Sequence, residues 1–326
     1  MRFRDGHATL GGLAAIVLWS LTVGVARRII EPLGPLTACA ATYLAGGAIG
    51  CALLLSRART RAGMARLPRR YLVGCGALFV GYTLCLYLAI GLAAGRNEVF
   101  VVGLINYLWP GLTLVLSLPV LGCRGRWSLP VGLLLALVGV ALATWPARGA
   151  GFGAVVSDLG ANAWAYALAL MAAVAWAMYS NLARRWAGRS EGDAVALFVL
   201  AAGVLAATLS FWRGETANWS ASVAAGVALM ALGPALTAYL LWDRAVRRGN
   251  LTLVASAAYL TPLLSTAITS AALGALPGAG VWVGCVLVVV GAMVCKVSVR
   301  PEPRTGEGPR QQVGSEQTLT PTETRA

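Results

Sequence analysis

Charged residues and histidine are both scarce in this chain. Asp, Glu, Lys and Arg together make up 12% of its 326 residues, and histidine occurs once. Apolar residues make up 58% of the chain and the mean hydropathy is +0.74, whereas soluble domains carry about 25% charged residues. A water-soluble fold of this length could not bury so much apolar surface, so the composition excludes a soluble globular protein.

The chain also lacks the residue clusters of metal sites and enzymes. His7 is the single histidine, and the seven cysteines form no C-x-x-C pair. We therefore interpret the cysteines as buried small apolar side chains. An intramembrane enzyme would need a cluster such as H-E-x-x-H or paired carboxylates within the membrane, and the sequence has neither. The sequence predicts no enzyme activity, no metal and no cofactor.

Long apolar segments are abundant instead. A helix that spans a bilayer needs about 20 mainly apolar residues, and ten windows approach that length: 9–26, 36–55, 71–92, 99–121, 129–144, 163–182, 194–211, 223–242, 251–273 and 281–297. The sequence therefore predicts an all-α membrane protein of ten transmembrane helices, with 129–144 as the shortest. The first apolar run continues to Arg27 without a convincing cleavage site, so we interpret it as a retained helix rather than a signal peptide.

Basic residues give the chain a net charge of +14. That charge would suggest nucleic acid in a soluble protein, but here most of the 26 basic residues lie between the apolar windows. A cytoplasmic N-terminus puts a large majority of them on the cytoplasmic side, as the positive-inside rule requires. We predict a bacterial inner-membrane protein that has both termini in the cytoplasm and binds no nucleic acid. Residues 299–326, rich in Pro, Gly, Thr and charge, are predicted to form a disordered cytoplasmic tail.

The sequence repeats itself at a constant offset of 152 residues. At this offset Tyr87 falls on Tyr239, Tyr107 on Tyr259, Pro110 on Pro262, Gly132 on Gly284 and Gly139 on Gly291. Five helices is an odd number, so the second copy would enter the membrane from the opposite side. We predict two inverted five-helix repeats, 1–157 and 158–298, that open a central site alternately to each side of the membrane.

Aromatic side chains occur deep inside several windows, where a phenol or indole needs a hydrogen-bond partner or a watery cavity. Asn106, Tyr107 and Trp109 cluster beside Pro110, which has no amide hydrogen and leaves a helical carbonyl without its usual donor. Pro262 would have the same effect in the second repeat. Helix packing is the better explanation for any single aromatic residue, but for the whole set we favour a cavity. The deep aromatic residues are Trp19, Tyr82, Tyr87, Tyr107, Trp109, Trp176, Tyr239 and Tyr259.

Charged residues are nearly absent from the middle of the windows, so a site for phosphate or another strong anion is disfavoured. Glu98 begins the fourth window, and Asp243, next to Arg244, ends the eighth. An interfacial carboxylate or a salt bridge explains both residues, and proton coupling is the functional alternative. A multidrug or cationic-metabolite exporter that uses Glu98 or Asp243 is therefore the alternative function.

Several segments resemble the aromatic amino acid exporters of the drug/metabolite transporter superfamily, EamA type. They include NEVFVVGLINYLWPGLTL from Asn97, GLLLALVGV from Gly132 and SAAYLTPLLS from Ser256. The resemblance implies a basket-like bundle of ten helices that exports aromatic and other neutral amino acids, and we expect it to act as a monomer. One departure is Asp243 after Trp242, where the family is expected to have Asn.

The resemblance also implies a substrate cavity. Tyr82, Tyr107, Trp109 and Trp176 would stack on an apolar or aromatic side chain, and Asn106 or exposed backbone would hold the zwitterionic end. Tyr259, the repeat partner of Tyr107, completes the predicted substrate-binding set, with Pro110 and Pro262 as helix breaks or hinges.

Overall fold

The computed structural model describes residues 2–56, 58–143, 160–187, 194–248 and 258–300. Nearly all of these residues are helical, as the apolar windows predict. The α-helices, in chain order, are α1 Arg2–Ser20, α2 Thr22–Leu33, α3 Pro35–Leu55, α4 Ala58–Ala65, α5 Gly76–Leu92, α6 Arg96–Asn106, α7 Trp109–Leu121, α8 Ser128–Ala143, α9 Ala163–Ala187, α10 Val195–Arg213, α11 Ala221–Leu232, α12 Ala238–Arg248, α13 Thr261–Leu273 and α14 Ala279–Ser298. A π-helical turn at Tyr71–Cys75 precedes α5, and another at Gly233–Thr237 joins α11 to α12. Two two-residue strands, β1 Arg124–Gly125 and β2 Val299–Arg300, pair antiparallel.

Eight helical segments of the described residues are long and apolar enough to cross a membrane. They are Leu10–Leu33, Pro35–Leu55, Tyr71–Leu92, Arg96–Leu121, Ala163–Ala187, Val195–Arg213, Ala221–Trp242 and Ala279–Ser298. Each coincides with a predicted window. The other two windows correspond to shorter apolar helices, Ser128–Ala143 and Thr261–Leu273. Residue 144 and residues 251–257 of those windows, and the predicted tail from residue 301, lie outside the described residues.

The fourth window is not one continuous helix. It divides into α6 and α7 at Tyr107 and Leu108, immediately before Trp109 and Pro110. Since a proline lacks the amide hydrogen that an interior helical position requires, it is tolerated best in the first turn. Pro110 occupies that place in α7, and Pro262 occupies it in α13. The helical segment is therefore interrupted at the two residues before Trp109.

Glycines allow α8 and α14 to pack with their backbones in contact. A Cβ atom added at Gly132 would lie 2.7 Å from the carbonyl oxygen of Gly291, and one added at Gly139 would lie 2.7 Å from that of Gly284. Small residues permit this close approach of membrane helices. The contacts run in opposite directions along the two helices, so α8 and α14 pack antiparallel.

A second crossing, between α3 and α10, has the same reciprocal form. Cβ atoms added at Gly47 and Gly203 would meet the backbones of Leu200 and Leu44, respectively. The glycine of each helix thus opposes the leucine that lies three residues before the glycine of the other. The most extensive remaining helix contacts join α5 to α9 and α1 to α12.

At one end of the bundle, Glu215 closes the N-terminus of α3. Its carboxylate oxygens accept hydrogen bonds from the backbone N–H of Leu36 at 3.2 Å, from the backbone N–H of Thr37 at 2.7 Å and from Thr37 Oγ1 at 2.9 Å. The first amides of a helix have no intrahelical acceptor and form the positive end of the helix dipole. Glu215 therefore ties the loop after α10 to the beginning of α3.

Replacing Glu215 by Ala is expected to lower the free energy of unfolding by about 1–2 kcal/mol, because these capping amides would lose their acceptor. The change would be measured as a lower midpoint of thermal unfolding of the detergent-purified protein. Glu31→Ala is the matched control, since Glu31 is 44% exposed and its described ion pair, to Arg27, is a surface contact, so its effect should be about 0.5 kcal/mol or less. Equal effects of the two variants would contradict the capping role.

Candidate binding site

A cavity lies between helices from both halves of the chain. The space between these helices, counted together with the open solvent at its mouth, is about 500 Å³. Helices α1, α2, α5, α6, α7, α9, α12 and α13 or their adjoining turns contribute side chains. The lining residues are Ile16, Trp19, Thr22, Val23, Tyr82, Leu86, Asn106, Tyr107, Trp109, Trp176, Tyr239, Ala258 and Thr261.

Trp176 is the central aromatic ring of this site. Its ring centroid lies 4.8 Å from that of Tyr82, 5.7 Å from that of Tyr239, 6.2 Å from that of Trp19 and 6.4 Å from that of Trp109. The Trp19 and Trp109 contacts are edge-to-face, a favoured geometry for aromatic pairs. The cavity therefore presents aromatic rings from α1, α5, α7 and α12 around a single indole of α9.

Stacking and burial hold the Trp176 indole in place. Tyr179, one turn further along α9, stacks on it at a centroid distance of 5.0 Å and an interplanar angle of 24°. Phe79, which is fully buried, packs against it at 6.1 Å. Trp176 itself is only 8% exposed. Its ring is thus supported on the protein side by residues that do not line the cavity.

The break between α6 and α7 positions three cavity residues. Asn106 ends α6, Tyr107 lies in the turn, and Trp109 begins α7. Pro110 cannot donate a hydrogen bond to the carbonyl of Asn106, which would be its partner in a continuous helix. The sequence N-Y-L-W-P therefore places an amide, a phenol and an indole at an interruption of the helix, next to a carbonyl that has lost its helical donor.

The corresponding break before α13 is arranged differently. Pro262 cannot donate to the carbonyl of Ala258, but the hydroxyl of Thr261 donates to that carbonyl at 2.6 Å. Trp109 occupies the equivalent position in the first half, and its side chain has no hydroxyl. The carbonyl of Ala258 therefore receives a hydrogen bond from a nearby side chain. The carbonyl of Asn106 receives no such bond from Trp109.

Two polar atoms of cavity residues are buried without a hydrogen-bond partner. They are Nε1 of Trp19, a donor, and Oδ1 of Asn106, an acceptor. A buried donor or acceptor without a partner costs about 1–3 kcal/mol. Such atoms in a native structure call for an explanation, and both of these belong to residues that line the cavity.

Among the residues whose side chains the structure describes, none that lines the cavity carries a charge. Glu98 does not line it and instead lies in the first turn of α6, where the positive end of the helix dipole favours a carboxylate. Asp243 belongs to α12, but its side chain lies outside the described part of the structure. The cavity therefore favours a ligand of zero net charge.

Five of the six predicted substrate-binding residues line the cavity: Tyr82, Asn106, Tyr107, Trp109 and Trp176. Tyr259 does not, because its ring packs against Val289 and Ala292, with the Lys296 ammonium 5.5 Å from its centroid. Two further aromatic residues of the deep set, Trp19 and Tyr239, also line the cavity, although the sequence did not place them in the substrate-binding set. Their depth in the first and eighth windows was the available signal.

Residues 7–145 and 163–296 match the EamA-like transporter family. These segments make up most of the chain, so the protein belongs to that family and is a multi-pass membrane protein. Its relatives carry the name aromatic amino acid exporter YddG. It is 35% identical over 294 residues to that of Salmonella typhimurium, with coverage of 90% of this chain and 98% of the relative.

Other comparisons agree with this similarity. The chain is 33% identical over 296 residues to YddG of Escherichia coli and 33% identical over 302 residues to YddG of Ancylobacter novellus, in both cases with coverage of 90% of this chain and 98% of the relative. A crystal structure 32% identical in sequence matches with a TM-score of 0.64, over 90% of this chain and 97% of that one. The named relatives are exporters rather than enzymes.

Proposed function

We propose that this protein exports aromatic and other neutral amino acids from the cytoplasm across the bacterial inner membrane. The observation that carries the proposal is the cavity in which Tyr82, Trp109, Trp176 and Tyr239 surround one space, and whose described lining residues carry no charge. Aromatic rings bury and stack on an aromatic side chain, while the absence of charge from the lining disfavours cations and strong anions. Relatives that are at least 33% identical over nearly their whole length are named for aromatic amino acid export.

Alternating access between two inverted five-helix repeats is the proposed mechanism, with ten membrane helices in all. The two shorter apolar helices, α8 and α13, are counted among the ten. Reciprocal contacts support the relation between the repeats, since Gly132 meets Gly291 while Gly139 meets Gly284. When a two-fold axis relates two units, a contact of residue i with residue j is accompanied by the contact of j with i. Rocking of one repeat against the other would expose the central cavity to each side in turn.

In this mechanism the substrate ring stacks among Tyr82, Tyr107, Trp109 and Trp176. Asn106 holds the polar end, and the break at Pro110 lets α6 and α7 reorient relative to each other. Both termini are proposed to lie in the cytoplasm, as the distribution of arginine implies. We further propose that the protein acts as a monomer.

Toxic amino acid analogues test the function in cells. Bacteria that lack their own aromatic amino acid exporters and express this chain are expected to grow at several-fold higher concentrations of p-fluorophenylalanine than cells that carry an empty vector. Resistance to a lipophilic cation such as ethidium should not change. Resistance to ethidium alone, lost in Glu98→Gln or Asp243→Asn, would instead support the cationic-metabolite exporter.

A further inference from the structure

We infer that Trp19 and Asn106 recognise the two charged groups of a zwitterionic α-amino acid, each residue binding one of the two groups. The indole N–H of Trp19 donates to the carboxylate of the substrate, and Oδ1 of Asn106 accepts from its ammonium group. This assignment rests on the proposed function, because it specifies which residues bind the carboxylate and the ammonium group of the exported amino acid. It makes Trp19 a specificity-determining residue, in addition to the aromatic residues that surround the side chain.

Trp19 is suited to a carboxylate by its chemistry and its position. An indole has one polar atom, and that atom can only donate, so its partner must be an acceptor. Nε1 of Trp19 is buried and has no partner, while the ring lines the cavity. Trp176, Tyr239 and Trp242 contact the same ring, with centroids 6.2, 5.2 and 5.1 Å away. The ring is therefore held in position before substrate arrives, and its hydrogen bond remains to be made.

Asn106 offers the complementary group. Its Oδ1 is a buried acceptor without a partner, and the residue is only 4% exposed. Its main-chain carbonyl has also lost its helical donor, since the residue four positions later is Pro110. The equivalent carbonyl in the second half, that of Ala258, receives the hydroxyl of Thr261, and Trp109 cannot supply such a bond. Acceptors concentrated at one break of the helix suit an ammonium group, which has only donors.

The pair of unpartnered atoms explains how an uncharged cavity can select a zwitterion. A compound that carries only an amine would leave Nε1 of Trp19 without a partner, and one that carries only an acid would leave Oδ1 of Asn106 without one. Each would also introduce a net charge among lining residues that, in the described part of the chain, offer no counter-charge. Sites built to hydrogen-bond a group discriminate strongly against analogues that lack it. The structure therefore assigns selectivity for both ends of the amino acid backbone to these two residues.

Competition by truncated ligands tests this assignment in the full-length protein reconstituted in liposomes. Uptake of labelled tryptophan would be measured with unlabelled tryptophan, with tryptamine, which lacks the carboxylate, and with indole-3-propionate, which lacks the ammonium group. Both truncated compounds should compete at least tenfold more weakly than tryptophan in the unaltered protein. Competition as strong as that of tryptophan by either compound would overturn the proposal without any variant.

Two variants should each weaken competition by a different pair of the three compounds, and a structural defect would not produce that pattern. Trp19→Phe should weaken competition by tryptophan and indole-3-propionate about tenfold and leave tryptamine unchanged. Asn106→Leu should weaken competition by tryptophan and tryptamine and leave indole-3-propionate unchanged. A uniform loss for all three compounds in both variants would assign these residues a packing role and overturn the proposal.

Matched controls come from residues outside the cavity lining. Trp164→Phe removes an indole N–H from a residue that is 79% exposed, and Thr269→Val removes a hydroxyl that is likewise buried without a partner. Neither change should alter the ratios among the three compounds. If the unaltered protein moves no amino acid, the proposed function fails and this assignment fails with it. If tryptophan is transported but the ratios do not change in either variant, only the assignment fails.

Discussion

Replacing Trp176 by Ala is expected to reduce tryptophan and phenylalanine transport at least tenfold. Four other lining rings, those of Trp19, Tyr82, Trp109 and Tyr239, contact this indole. Each favourable aromatic pair contributes about 0.5–1.5 kcal/mol beyond burial, and every 1.4 kcal/mol corresponds to a factor of ten in affinity. Loss of the Trp176 ring removes a surface on which the substrate stacks, and it also removes the contacts that hold the four neighbouring rings in place.

A less disruptive change separates substrate contact from folding, because a buried Trp→Ala change alone can cost about 3–5 kcal/mol of stability. Trp176→Phe retains an aromatic ring and should therefore retain part of the transport. Trp164→Ala is the matched control, since Trp164 belongs to the same helix but is 79% exposed. Uptake would be normalised to the amount of monodisperse protein. Normal transport by both Trp176 variants would exclude this cavity as the substrate site.

Substituting Val for Gly139 is expected to prevent stable packing of α8 on α14. A Cβ atom there would lie 2.7 Å from the carbonyl oxygen of Gly284 and 2.9 Å from Cβ of Leu287, both closer than van der Waals contact. The helices would have to separate, and overpacking of this kind costs about 1–3 kcal/mol or more. Because stability totals only about 5–15 kcal/mol, a clear decrease in the midpoint of thermal unfolding should follow. The midpoint would be measured in detergent, after size-exclusion chromatography.

Gly81→Ala is the matched control, because it also replaces a helical glycine but should not lower the midpoint of thermal unfolding. Nothing lies within 4 Å of a Cβ atom added at Gly81, which belongs to α5. Alanine is favoured over glycine in a helix by about 0.5–1 kcal/mol, so the unfolding midpoint should stay the same or rise slightly. An unaltered midpoint in Gly139→Val would contradict the close crossing of α8 and α14.

The sequence predicts the helices well because membrane insertion depends on a local property, the hydropathy of about 20 consecutive residues. Eight windows therefore coincide with helices that can span a membrane. The break at Tyr107 is also local, since Pro110 removes one amide hydrogen. The π-helical turn at Gly233–Thr237 was not predicted. It contains Pro234 and lies immediately before the short segment that carries Tyr239, so the proline was its only local signal.

Which deep aromatic residues reach the cavity is not a local property. Tyr107 lines the cavity, whereas Tyr259, its partner in the 152-residue repeat, packs against α14. Tyr239 lines it, whereas Tyr87 is fully buried elsewhere and does not. The rotation of each helix about its own axis decides these outcomes, and contacts between distant segments set that rotation. The repeat therefore indicates equivalent positions in the chain but not equivalent contacts with a ligand.

Substrate exchange in proteoliposomes tests the proposed export function most directly. Vesicles that contain the purified protein would be loaded with unlabelled phenylalanine, and the uptake of labelled phenylalanine would be followed with a panel of external competitors. We predict rapid exchange that tryptophan, tyrosine and other neutral amino acids inhibit, and that lysine, glutamate and lipophilic cations do not. Exchange no faster than in protein-free vesicles, or exchange inhibited by lipophilic cations but not by tryptophan, would contradict an aromatic amino acid exporter.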